Sequence, residues 1–90
     1  RSSDLGEYFK KKLETLPHVK EVRGQGLLVG VEFDETISAV EVKHECLHRH
    51  LLITAIGTHT IRMVPPLIIA EKDCDEAYEI IKASVVELTK

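Results

Sequence analysis

Seven short patterned segments, none long enough to bury an apolar face by itself, constrain this chain more than any other feature. Three of them repeat apolar residues at the helical spacing of three and four, and they span residues 4–16, 37–50 and 71–88. Four shorter apolar runs with strand character occupy residues 19–22, 27–33, 51–56 and 60–64. The resulting order, α-β-β-α-β-β-α, predicts one α+β domain over residues 1–90: a small, mostly antiparallel sheet with helices on one face.

Local signals set the expected element boundaries. Asp4, with Glu7 three residues later, fits a capping box at the start of the first helix. Residues 23–26, Arg-Gly-Gln-Gly, are typical of a turn before the strand at 27–33. In the second helix, the expected apolar stripe consists of Ile37, Val40, His44 and Leu47. In the third helix, it consists of Cys74, Ala77, Ile81, Val85 and Leu88.

The charge and aromatic content exclude two classes of partner. The 90 residues carry a net charge of −3, with acidic and basic residues interleaved, and they include two Tyr, two Phe and no Trp. Nucleic acids and anionic membranes attract a basic surface, and unpaired bases stack on aromatic side chains, so neither partner is expected. The longest apolar runs are too short to cross a bilayer. Cys46 and Cys74 fall in helical patterns, which indicates buried thiols and a reducing, cytoplasmic compartment.

Residues 44–48, His-Glu-Cys-Leu-His, match the H-E-x-x-H pattern of zinc enzymes. On a helix the two histidines lie one turn apart, where they can share a metal while Glu45 acts as a base. A catalytic zinc also needs a third protein ligand, and the position at which metzincins place it holds Thr54. Nothing in the sequence places Glu71 near the pair as a substitute. We therefore predict no metal site, and a metal-binding protein is the least favoured alternative.

The sequence offers no catalytic or cofactor-binding group of its own. Gly24, Gln25 and Gly26 begin like a dinucleotide-binding loop, but Val29 stands at the third glycine position and a strand follows. The serines and cysteines lie outside any nucleophile motif. None of the eight lysines falls in an apolar stretch that would lower its pKa for Schiff-base chemistry. We predict no catalytic residue and no cofactor ligand in this chain.

Arg62 interrupts an apolar strand, Thr-Ile-Arg-Met-Val, just before Pro65 and Pro66. One interpretation is an outward-facing arginine paired with Glu32, a weak surface pair of the ordinary kind, and the residues alone favour it. The other interpretation is a ligand for a substrate carboxylate, because a guanidinium presents a planar fork of donors that matches the two carboxylate oxygens.

The same region resembles a known family. Residues 61–69, IRMVPPLII, resemble the I-R-x-x-P-P-L-I-I stretch in the small domain of class III pyridoxal-phosphate (PLP) aminotransferases. Residues 22–33, VRGQGLLVGVEF, resemble that family's V-R-G-x-G-L-x-x-G-x-E segment, and Leu5, Gly6 and Leu13 resemble its opening helix. Cys46 and Leu47, followed by residues 51–53, resemble its helix-to-strand junction. The ordered set covers nearly the whole chain, and it is most similar to the acetylornithine branch of the family, then to the ornithine branch.

The resemblance implies the fold of the C-terminal domain of fold-type I PLP transferases. Residues 1–90 would be that small domain, and the large PLP-binding domain would belong to the same longer, homodimeric protein. The complete enzyme would move an amino group from N-acetylornithine to 2-oxoglutarate in arginine biosynthesis, with PLP held by a large-domain lysine. Arg62 matches the family's carboxylate-binding arginine, so the resemblance favours the second interpretation of this residue. The chain begins at Arg1, is expected to be truncated, and would be inactive alone.

The chain departs from the family pattern in three places. His50 stands where a Gly commonly follows the second helix, Ala70 replaces a Thr or Ser cap, and residues 54–59 fit neither branch, which leaves the substrate open. The main alternative function is a stand-alone module that binds an amino acid through Arg62. The fragment hypothesis predicts a large exposed apolar face on the isolated chain, whereas the binding module predicts a closed surface.

Overall fold

The computed structural model describes residues 2–25, 28–63 and 70–90. The elements follow the predicted order, and in sequence they are α1 (Ser2–Leu13), β1 (Val19–Gln25), β2 (Leu28–Phe33), α2 (Ala39–His48), β3 (Thr54–Ile56), β4 (Thr60–Met63) and α3 (Glu71–Leu88). The four strands form one sheet in the order β1-β2-β4-β3, and every neighbouring pair is antiparallel. The predicted α+β class and antiparallel sheet are confirmed.

The helices cover one face of the sheet because the strands alternate between apolar and polar residues. Val29, Val31 and Phe33 of β2 are buried under the helices, and Ile61 and Met63 of β4 lie beside them. Helix α1 packs on β1 and β2, helix α2 packs on β3 and β4, and α3 packs against both of these helices. The opposite sheet face carries no helix among the described elements, and we call it the open face.

The buried stripe of α3 agrees with the prediction for most of its length. Cys74, Ala77, Ile81 and Val85 are buried, and Tyr78 widens the stripe. The N-cap residue of α3 is Ala70. It makes no side-chain cap hydrogen bond, because a methyl group has no acceptor for the backbone N–H groups of the first turn. None of the described helices is long and apolar enough to cross a membrane.

Helix α1 begins earlier than predicted, and strand β1 ends later than predicted. Helix α1 begins by Ser2, so Asp4 lies inside the helix and the capping-box assignment at Asp4 was wrong. Strand β1 continues through Gln25, so most of the segment predicted as a turn is strand instead. Pairing with β2 explains this extension, because Gly24 and Gln25 face Val29 and Leu28 in the ladder and need no turn of their own.

The predicted stripe of α2 was wrong. Ala39, Val42 and Cys46 are the buried residues of this helix, whereas Val40 and Leu47 are 48% and 51% exposed. Both sets have helical spacing, so periodicity alone does not choose between them. Packing against α3 selects which stripe of α2 is buried, and the predicted stripe, including His44, faces outward. Ile37 gives no information on which face of α2 is buried, because it lies before the helix and its N-cap residue, Ser38.

The junction between α2 and β3 is a Schellman motif. The backbone N–H of Leu51 donates to Cys46 O at 2.8 Å, and the N–H of His50 donates to Leu47 O at 3.0 Å. His50 has a φ of 68°, the left-handed conformation for which Gly is usual. Because this motif occupies residues 50 and 51, β3 begins at Thr54 and not at residue 51 as predicted, although Leu51 and Ile53 are buried.

Candidate functional site

Arg62 lies on the open face, in a strand that is paired on both sides. The ladder places it beside Gly30 of β2 and Thr54 of β3. Its strand neighbours Ile61 and Met63 point into the core, so the pleat directs the Arg62 side chain outward, and that side chain is exposed. The structure thus agrees with the outward orientation that both interpretations of Arg62 require.

A shallow cavity of about 340 Å³ lies against Arg62 on the open face. Its lining consists of Arg23, Gly24, Leu28, Gly30, Ile56, Thr60 and Arg62. Two guanidinium groups therefore border a surface with two apolar side chains and one hydroxyl. This mixture suits a small organic anion, whose carboxylate and carbon chain need different contacts.

Gly30 opens the space between the two arginines. Arg23 and Arg62 are the ladder partners of Gly30 on its two sides, so they lie about two strand spacings apart, or roughly 10 Å. Among the described residues, a Cβ built on Gly30 would come no closer than 3.7 Å, an ordinary contact with Ile61 O. The local packing that the structure describes does not require a glycine here, and its missing side chain leaves the cavity accessible.

The two arginines differ in their partners. Arg23 donates to Glu21 through Nε (3.0 Å) and Nη2 (3.2 Å), and its Nη2 also donates to Glu32 at 3.2 Å. Lys20 Nζ lies 4.0 Å from the other Glu32 oxygen. Arg62, by contrast, makes no ion pair or hydrogen bond with its side chain in the described part of the chain. The Arg62–Glu32 pair considered from the sequence is therefore not formed.

The side chains of the H-E-x-x-H residues on α2 have different surroundings. His44 and His48 are exposed on α2, and Cys46 is buried beneath them. Glu45, the residue that would serve as a base, accepts a hydrogen bond from Arg49 Nη1 at 2.7 Å. Within residues 2–25, 28–63 and 70–90, no group of three His, Cys, Asp or Glu side chains is placed to hold a metal.

Both cysteines are buried free thiols, as the helical pattern indicated. Burial raises the pKa of the Cys46 thiol, and its Sγ lies 3.4 Å from the buried Ser84 Oγ. Burial and the nearby Asp75 carboxylate raise the pKa of Cys74 to about 11. A thiol with a raised pKa carries little thiolate at neutral pH, so neither side chain is suited to nucleophilic chemistry.

The residues present do not form a PLP site by themselves. A lysine that forms a Schiff base must be held in a desolvated pocket or beside another cation. All eight lysines lie in the described part of the chain, and none is buried. Lys20, the lysine of β1, has a side chain that is 69% exposed and faces Glu32. The described residues therefore place two arginines beside the cavity and no buried lysine.

Sequence reasoning singled out Arg62 as a candidate and did not consider Arg23. Arg62 was visible because a charge stands in an apolar strand, whereas Arg23 was assigned to a turn. The alternation of Glu21 and Arg23 around the buried Val22 is the signal that could have revealed an outward-facing strand residue. Residues 64–69, which carry part of the family resemblance and the predicted strand end at Pro65, lie outside the described residues.

Comparison with known proteins gives consistent results at the level of sequence. The sequence model of the class III aminotransferase family matches residues 1–85. The acetylornithine aminotransferase of Caldanaerobacter subterraneus subsp. tengcongensis is 41% identical over 87 residues, which cover 92% of this chain and 22% of that protein. The ornithine aminotransferase of Bacillus subtilis is 45% identical over 84 residues, covering 91% of this chain and 20% of that protein.

Solved aminotransferase structures agree with the sequence comparison. An ornithine aminotransferase from Plasmodium yoelii superposes with a TM-score of 0.78 at 32% identity, over 97% of this chain and 24% of that one. A lysine aminotransferase from M. tuberculosis superposes with a TM-score of 0.86 at 23% identity, again over 97% of this chain and 21% of that one, and supports the fold. The chain spans about a fifth of the length of the curated relatives it matches. It belongs to the class III aminotransferase family.

Proposed function

We propose that residues 1–90 are the C-terminal small domain of a class III aminotransferase. In this proposal the complete enzyme transfers an amino group from N-acetylornithine to 2-oxoglutarate in arginine biosynthesis, in the cytoplasm and as a homodimer. Two findings support the assignment: relatives at 37% and 41% identity that are acetylornithine aminotransferases, and a matched region that is about a fifth of their length. Ornithine aminotransferases of 41–45% identity make ornithine the second candidate amino donor.

The observation that carries the proposal is the state of Arg62. It is an exposed arginine on a strand paired on both sides, beside a cavity, with no carboxylate of the described chain bound to it. A charged fork of donors in this position can grip a carboxylate with two parallel hydrogen bonds. 2-Oxoglutarate carries a carboxylate beside its reacting carbon, and N-acetylornithine carries one at the end of the chain opposite its reacting δ-amino group. An arginine in this position can therefore hold either substrate by a carboxylate.

The cofactor belongs to another part of the enzyme in this proposal. Class III membership implies PLP in the complete enzyme, where the cofactor supplies the electron sink of the reaction. Because no lysine of this chain is buried, we assign the cofactor lysine to the large domain. The small domain binds and orients the carboxylate, and we expect it to have no transaminase activity alone.

Arg62→Gln in the full-length enzyme tests the role of this residue. Losing a charge-assisted hydrogen-bond partner should lower kcat/KM for 2-oxoglutarate roughly 10- to 100-fold, mainly through KM. Arg49→Gln is the matched control, because Arg49 is the C-cap residue of α2 and pairs with Glu45 away from the open face. Steady-state kinetics with both substrates gives the answer, and an unchanged KM for Arg62→Gln removes this arginine from the site.

A stand-alone amino-acid-binding module is the second candidate, because both arginines and the cavity lining that the structure describes belong to this chain. The coding sequence upstream of Arg1 separates the two functions. A reading frame that continues through a PLP-lysine region supports the aminotransferase. A start codon immediately upstream contradicts it, and calorimetric titration of the purified chain with glutamate and N-acetylornithine would then test the module.

A further inference from the structure

We propose that Arg23 is a positioning residue that holds Glu32 away from Arg62 and so keeps Arg62 available for a substrate carboxylate. This inference rests on the proposed function of Arg62. It concerns three side chains of the open face, Arg23, Glu32 and Arg62, that lie on three neighbouring strands.

Glu32 is the carboxylate of β2 that can reach Arg62. In the ladder between β2 and β4, Gly30 faces Arg62 and Glu32 faces Thr60. Glu32 and Arg62 therefore point to the same face as diagonal neighbours, about 7–8 Å apart at the backbone, a separation that two long side chains bridge. Without another partner, Glu32 would be expected to pair with Arg62 and to occupy the carboxylate site from within.

Arg23 prevents this by binding Glu32 from the other side. Its Nη2 donates to Glu32 Oε1 at 3.2 Å, and two hydrogen bonds to Glu21 fix the plane of the guanidinium. Lys20 reinforces the arrangement from 4.0 Å. The negative charge of Glu32 is thus drawn toward β1, and the Arg62 side chain is left with no partner among the described residues.

The expected effect is a competition that acts on binding alone. If Glu32 is released, its pair with Arg62 must break each time a substrate carboxylate binds, so KM rises while kcat stays the same. The competing pair is exposed to solvent, and exposed pairs are weak, so the increase should be about two- to fivefold. Lys20 still faces Glu32 in such a variant and limits the increase.

The experiment measures KM for 2-oxoglutarate, and the inhibition constant of unreactive glutarate, in the full-length enzyme. Arg23→Gln should raise both values, with kcat unchanged. Arg23→Lys keeps a positive charge beside Glu32 and should restore them. Arg23→Gln combined with Glu32→Gln should also restore them, because the released competitor is gone.

Glu21→Gln is the matched control. Combined with Arg23→Gln, it restores the same net charge as Glu32→Gln does, but it leaves Glu32 free to bind Arg62. Glu21 pairs with Glu32 in the ladder and lies one strand farther from Arg62. The proposal therefore expects KM to stay raised in this double variant.

Two results would overturn the inference while Arg62 keeps its role: an unchanged KM in Arg23→Gln, or equal rescue by Glu21→Gln and Glu32→Gln, which would indicate a general charge effect. If Arg62→Gln itself leaves KM and the glutarate inhibition constant unchanged, the proposed function fails first, and the inference fails with it.

Discussion

His18 and His50 both adopt left-handed backbone conformations, with φ angles of 64° and 68°. A residue with a Cβ meets steric resistance there, about 1–2 kcal/mol, which Gly avoids. The two histidines differ in what their side chains do. His18 Nδ1 lies 3.3 Å from Asp34 Oδ2, whereas the His50 side chain is exposed and has no such partner in the described part of the chain.

We expect His50→Gly to stabilise the chain by about 0.5–1 kcal/mol, since it removes the strain at the end of α2 at a modest cost in unfolded-chain freedom. His44→Gly is the matched control, because it makes the same substitution at an exposed position inside α2 and should destabilise the chain by about 0.3–0.5 kcal/mol. Urea unfolding midpoints measure both changes. A destabilised His50→Gly variant would mean that the imidazole makes a contact that offsets the strain.

At the level of helices and strands, the sequence predicted which elements exist and their order, because their periods are local properties. It did not predict the phase of α2, since Ala39, Val42 and Cys46 have the same spacing as the stripe that turned outward. Nor did it predict the full length of β1, which depends on a partner strand. The phase of α2 is selected by packing against α3, which is distant in sequence. The length of β1 is selected by pairing with the next strand, β2, which the pattern of β1 alone does not specify.

The same limit applies to the candidate site. Arg62 was recognisable because its charge contradicts the apolar strand around it. The contact between Arg23 and Glu32 depends on the register of β1 against β2, which no single segment encodes. A site residue whose importance lies in its partner cannot be identified until the pairing of the strands is known.

Helices α1 and α3 are joined by a polar contact at the edge of the core. Tyr8 OH donates to Asp75 Oδ1 at 2.6 Å, and Lys12 Nζ lies 3.4 Å from the same oxygen. The hydrogen bond to the Asp75 carboxylate, with burial and the charge of Asp75 adding to it, raises the pKa of Tyr8 to about 12. The same hydrogen bond, together with Lys12, lowers the pKa of Asp75.

Tyr8→Phe should destabilise the chain at neutral pH, and the difference from the unsubstituted chain should depend on pH at both ends. The Tyr8 contribution is complete below pH 10.0, the ordinary tyrosine value, and is lost as pH rises through about 12. The Asp75 contribution is present above pH 3.8 and is lost as pH falls through the lowered pKa. Unfolding free energies from urea titrations at pH 3, 7, 10 and 12 measure this difference, and a constant value would contradict the contact.

At the scale of the whole molecule, one sheet has two contrasting faces. The covered face holds a single core, in which Phe9, Phe33, Ile61 and Ile81 are essentially inaccessible to water. On the described part of the open face, Leu28 and Ile56 are 38% and 40% exposed and alternate with charged and hydroxyl residues. The fragment hypothesis predicts a large exposed apolar face. On the described part of the open face, Leu28 and Ile56 are the two large apolar side chains exposed to this degree, and the large face stays a prediction.

Two isoleucines test the contrast between the faces. Ile61→Ala should cost about 2–5 kcal/mol, because it leaves a cavity in the core. A domain of this size has a total stability of only about 5–13 kcal/mol, so the variant should lose much of it. Ile56→Ala, on the open face, should cost less than about 1 kcal/mol. Urea unfolding measures the loss of stability in each variant. Similar losses would mean that Ile56 is packed as tightly as a core residue.

The strand order has a consequence for the folding pathway. Arg23 lies on the pair β1–β2 and Arg62 on the pair β3–β4, and each pair joins strands that are consecutive in sequence. The cavity between the two arginines exists only after β2 has paired with β4 across a segment of about 30 residues that includes α2. Contacts of this sequence separation form more slowly than local ones. We therefore expect the candidate binding site to be among the last parts of the molecule to form.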